Sequence, residues 1–124
     1  MYAAGLGIPE ENIFTETLAE HSTENVYYSY KKARQLGFQK IALATDPFQA
    51  KMLKRFTKKV VSPEVGIIPF VTDILEAMEK DMIDPEIDFG KAFRTDFTSL
   101  PERKNMRERF RGTRGQNINR NAYE

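Results

Sequence analysis

The run Lys40-Ile41-Ala42-Leu43-Ala44-Thr45, passing directly into Asp46-Pro47, constrains the fold of this chain more than any other stretch. An apolar run without polar alternation suits a strand buried on both faces of a sheet. Asp46 is a good helix N-cap, because its carboxylate can accept from an orphan backbone N–H. Pro47 fits the first helical position, where its missing N–H has no intrahelical partner anyway. A strand that turns straight into a helix is half of a parallel crossover unit, which predicts an α/β arrangement.

The neighbouring segments continue that alternation. Tyr2–Leu6 reads as the last turn of a helix, stopped by Gly7 and Pro9. Ile13-Phe14-Thr15-Glu16 is short, β-prone and flanked by polar residues, so it predicts a strand. Ser22 is the expected N-cap of the next helix, and Glu24 in its first turn complements the positive end of the helix dipole. That helix is expected to reach about Leu36, with Val26, Tyr30 and Ala33 on one face and Gly37 as a left-handed stop. After Asp46 a helix is expected over Pro47–Lys58, then a short strand near Lys59–Ser62 or Val65–Ile68. Another helix over about Val71–Lys80 presents Ile74, Leu75 and Met78. Short connections between such elements imply parallel pairing with right-handed crossovers. The expected class is therefore α/β: a three-layer, Rossmann-like, doubly wound architecture with a partial parallel sheet and flanking helices.

Length and charge divide the chain. With 124 residues one domain is the natural count, and nine Phe and five Tyr supply a core. The absence of cysteine removes disulfides, thiolate nucleophiles and Cys-based zinc sites. No apolar run approaches the roughly 20 residues that cross a bilayer. Met1-Tyr2-Ala3-Ala4-Gly5 lacks the charged start and apolar core of a signal peptide, so the chain as written is expected to stay in the cytoplasm. The net charge of +1 hides an asymmetry: residues 1–90 hold 10 Lys/Arg against 14 Asp/Glu, whereas residues 91–124 hold 9 against 4. The expected organisation is a partial α/β domain over 1–90 and a basic extension over 91–124, a helix near Pro101–Phe110 followed by an irregular tail. Arg103–Arg120 is a surface that nucleic acid or an acidic partner could meet, or equally a solvated helix with a frayed end.

In open parallel sheets, ligands sit beyond the carboxyl ends of the strands. Two polar clusters fall there, Glu16 through Asn25 and Thr45-Asp46 with Gln49, and helix N-termini at such places offer N–H groups to an anion. The candidate ligand-binding residues are Glu16, Ser22, Glu24, Asn25, Thr45, Asp46 and Gln49, with simple capping as the competing reading for Ser22 and Asp46. Catalytic residues are not assigned. The carboxylates of Glu16, Glu24 and Asp46 are a hard-cation set of the kind that holds Mg²⁺ beside a phosphate, but so few do not define a metal site. His21, the sole histidine, is expected on an exposed loop, because adjacency to Ser22 makes no triad. Tyr27, Tyr28 and Tyr30 fall at helical spacing and are expected in core and rim. Pairing with a second copy across an exposed sheet edge is a further possibility.

Taken together, Gly7-Ile8-Pro9, Ile13-Phe14-Thr15-Glu16, Ser22-Thr23-Glu24-Asn25 and Ile41-Ala42-Leu43-Ala44-Thr45-Asp46 resemble the second half of the YdcF/SanA/ElyC family. The resemblance covers about Ala3 to Ile68. It implies a Rossmann-like fold with a small anionic or nucleotide-like ligand in the crevice, S-adenosylmethionine among the suggestions, and a role in the cell envelope. Matching positions are Glu16, Ser22, Glu24, Asn25, Thr45 and Asp46. Relatives carry Ser at the position of Ala19, His at that of Gln49 and Arg near Lys51. An amide does not titrate, so Gln49 cannot serve as acid or base. The family's glycine-rich N-terminal half has no counterpart here, which suggests either a truncated domain, with an inactive fragment as the alternative function, or a misassigned start; the membrane anchor that places many relatives in the periplasm would be lost with that half.

Overall fold

The structure, a computed structural model, describes residues 1–124. It is a mixed helix and sheet arrangement built on two parallel strands, β1 (Ala42–Thr45) and β2 (Gly66–Pro69), paired from Ala42↔Gly66 to Thr45↔Pro69. The helices are α1 (Tyr2–Gly5), α2 (Ser22–Gln35), α3 (Pro47–Phe56), α4 (Thr72–Glu79), α5 (Leu100–Arg103) and α6 (Met106–Thr113). The punctuation legible in the sequence sets most of these limits. Gly37 takes φ +89°, and Gly37 and Phe38 donate to the carbonyls of Arg34 and Ala33, closing α2 in a Schellman turn. Asp46 caps α3 through a 2.9 Å bond from the Gln49 N–H, with Pro47 inside the first turn. The later strand falls at the second of the two expected places, and Thr57–Val61 instead prolongs α3 as a π-helical turn.

Three expectations need correction. Ile13–Glu16 forms no strand. Phe14 meets Phe38 edge-on at 5.9 Å, and Glu16 curls its carboxylate back onto the N–H groups of Leu18 and Ala19, bending the chain away from any ladder. The apolar run of β1 is not enclosed on both faces. Ala42 and Ala44 are exposed while Leu43 and Thr45 are half-buried, so one face of the strand is uncovered; with β2 as its sole partner, the opposite edge is open as well. Alternate residues of a parallel pair bond the neighbour, and Ile41 and Thr45 accept from Gly66 and Phe70, so Ala42 and Ala44 aim their backbone groups outward. Ser22 is not the N-cap of α2; it is the first helical residue, His21 occupies the cap, and no side chain caps there. Glu24 turns its carboxylate back to the Glu20 N–H at 2.8 Å, ahead of the helix, and leaves the first-turn donors uncapped.

The basic extension does not fray. α5 and α6 replace the single expected helix, each opened by a capping box, Ser99 with Glu102 and Asn105 with Glu108. The segment then folds back over α2. Thr23 Oγ1 donates to the Gly112 carbonyl at 2.7 Å, the Asn119 N–H to Tyr28 Oη at 2.9 Å, and Tyr123 Oη to Glu16 at 2.9 Å. Partial burial, and then the bond to Glu16, push the Tyr123 phenol above its ordinary 10.0.

The buried apolar residues are Val26, Tyr28, Ala50, Leu53, Val65 and Ala122, joined by Thr23, Glu24 and Thr57. They gather where α2, α3 and the π-helical turn meet, with the tail closing one side. Most large apolar side chains lie outside this core; Ile74, Leu75 and Met78 of α4 are about half exposed. The chain exposes 9949 Å², against about 6,800 Å² for a compact fold of its 14.3 kDa.

Candidate functional site

A crevice of about 360 Å³ opens at the carboxyl end of β1, between the N-terminal ends of α2 and α3. Of the seven candidate residues, Ser22, Asn25, Thr45 and Gln49 line it. Ser22 and Asn25 come from the first turns of α2, Thr45 ends β1, and Gln49 lies in the first turn of α3. The apolar floor is Val26, Leu43 and Leu53. Leaving the N-cap of α2 without a side-chain bond frees the first-turn N–H groups, which together with the dipole make that end attractive to negative charge. The Gln49 carbonyl oxygen is buried with no hydrogen-bond partner in the protein. A neutral amide of this kind can orient a polar ligand but exchanges no proton with it.

The other three candidates are not among the lining residues. Glu16 braces the loop before α2 and accepts from Tyr123; Glu24, almost wholly buried, holds the Glu20 N–H; Asp46 caps α3. Each carboxylate thus has a structural partner. No cluster of three or more metal-ligating side chains forms.

Two lining residues were not foreseen from sequence. His21 is half-buried rather than exposed, with Nε2 shielded from water and unpartnered, and its ring lies against Gly112. Glu20 carries the negative charge of the rim, and the basic extension neutralises it: Arg103 pairs with one oxygen at 2.9 Å and Lys104 with the other. An acidic residue just before a helix start was the available signal, but its partners lie more than 80 residues away.

The Lys104 ammonium first, and Arg103 beside it, hold the Glu20 carboxyl below its ordinary 4.5. A carboxylate whose pKa is lowered by folding contributes stability that is complete above the unfolded value and fades as pH falls through the folded one. The stability difference between the native chain and Glu20→Gln should therefore be constant above about pH 5 and shrink steadily below 4.5. Urea titrations of both proteins across that range measure it. A difference that does not change with pH would exclude an ionic role for Glu20.

No protein-family model matches this chain, and neither do any curated protein or solved structure.

Proposed function

We propose that the crevice binds a small anionic or nucleotide-like molecule, and that the chain is a ligand-binding α/β unit of the Rossmann-like kind. The observation that carries this reading is the convergence of Ser22, Asn25, Thr45 and Gln49 at the end of a parallel strand, between two helix starts. Ligands of open α/β sheets occupy this position. The unpartnered Gln49 oxygen supports it further, because buried polar atoms in native proteins normally have partners. The resemblance of Ser22-Thr23-Glu24-Asn25 and Thr45-Asp46 to the YdcF/SanA/ElyC pattern agrees, and makes S-adenosylmethionine the first molecule to try.

Thermal melts with S-adenosylmethionine, its demethylated product and a panel of nucleoside monophosphates test the idea. A ligand present at one hundred times its Kd adds about 2.7 kcal/mol of stability. The Tm should rise by several degrees, and Ser22→Ala together with Gln49→Leu should abolish the rise. Absence of a shift with any member, or a shift that survives the double substitution, refutes the proposal.

A further inference from the structure

A second cavity, about 680 Å³ in volume, shares no lining residue with the crevice. Its lining includes Tyr27, Lys59, Arg111, Gly115, Gln116 and Arg120, and no carboxylate. The three cations come from three places in the chain: the π-helical turn, α6 and the terminal turns. They meet because the tail docks on α2 through Thr23–Gly112 and Tyr28–Asn119. Gly115, at φ +73°, makes the reversal after α6; a side chain there would also strike the Phe56 ring, 2.6 Å from its Cβ position.

None of these three cations has an acceptor in the protein. Ion pairs engage Lys91, Arg94, Arg103 and Lys104, and Lys58, one residue before Lys59, donates to the carbonyls of Pro63 and Val65. Lys59, Arg111 and Arg120 make neither an ion pair nor a side-chain hydrogen bond. Three like charges around one cavity repel each other, and a multiply charged anion relieves that repulsion. Two guanidinium groups select for phosphate, whose oxygens accept their paired donors side by side. The volume lies within the usual range for small-molecule sites, roughly 300–1,000 Å³, which favours a compact ligand over a polymer lying along a surface.

We infer that this cavity is a binding site for a small molecule bearing linked phosphates, such as an inorganic oligophosphate or a nucleoside triphosphate. Lys59, Arg111 and Arg120 hold the phosphate chain, and Tyr27 offers an aromatic wall to a base where one is attached. The site is separate from the crevice and exists only while the tail is docked.

Isothermal titration of the full chain with tripolyphosphate, ATP and orthophosphate tests this. Tripolyphosphate should bind at least tenfold more tightly than orthophosphate, and its affinity should fall as salt is raised. Arg120→Gln and Lys59→Gln, exposed positions on different elements, should each weaken it about tenfold, the scale of one charged hydrogen bond. The two should keep the native far-ultraviolet spectrum, while Gln49→Leu in the crevice leaves the binding intact. Equal affinity for ATP and tripolyphosphate means that the phosphates alone are recognised; tighter ATP binding lost in Tyr27→Leu assigns the base to Tyr27; both support the inference. It is overturned if no oligophosphate binds at millimolar concentration, if binding survives the charge substitutions, or if only long single-stranded nucleic acid binds.

Discussion

Replacing Leu53 with alanine is expected to lower the unfolding free energy by about 2–5 kcal/mol, read as a fall in the urea midpoint at unchanged slope. Leu53 is 4% exposed and sits where α3 meets the crevice floor. The loss combines the transfer energy of the deleted carbons with the void left behind, and the void here adjoins an open crevice that water can enter. Neighbours can also settle into it, so the lower half of the range applies. The core has only a few other apolar members, and no large reserve of burial compensates. Phe48, five residues earlier and 73% exposed, is the control: Phe48→Ala should move stability by no more than about 0.5 kcal/mol. Similar values for the two substitutions would mean that α3 does not pack as described.

Gly112→Ala is expected to cost about 1–3 kcal/mol, the usual penalty of overfilling a packed contact. A methyl at this position falls inside the space of the His21 imidazole, so the ring or α6 must move. Moving α6 strains the Thr23–Gly112 bond that docks the extension. The ring can yield instead if it is removed, and the double variant His21→Ala/Gly112→Ala should recover most of the loss. A double-mutant cycle therefore gives a coupling energy opposite in sign to the single losses. Additive losses would show that the cost does not arise from this contact, since in a helix alanine is otherwise the better residue.

The parts of the fold that were legible in the sequence are those set by neighbouring residues. Gly37 ends α2 and Asp46-Pro47 opens α3, because a left-handed turn and a capped helix start need only local chemistry. Ile13–Glu16 illustrates the opposite case. Its β-prone composition reflects what a pleated, partnered surface would accept, and here no strand lies beside it. The enclosure expected for β1 fails in a related way, since apolar content cannot say whether a layer will cover both faces of the strand. Within the candidate site, Ser22, Asn25, Thr45 and Gln49 were recoverable from their places at strand ends and helix starts. Glu16, Glu24 and Asp46 share those places but satisfy backbone donors, a distinction set by where each carboxylate turns. Glu20 and the cationic cavity were out of reach, because both depend on the tail returning over α2. The two capping boxes that shape that return, Ser99 with Glu102 and Asn105 with Glu108, follow a recognisable spacing, although the surface they would meet leaves no local trace.

The generous exposure of the chain has a thermal consequence. The heat capacity of unfolding follows the apolar surface newly wetted. A fold that already exposes 9949 Å², about 3,100 Å² beyond a compact chain of its mass, has less left to uncover. Its stability curve is accordingly shallower, with weak dependence on temperature and a broad melt in place of a sharp one. Whatever covers that surface would raise the heat capacity of unfolding and steepen the melt, so the curvature of stability with temperature reports directly on coverage.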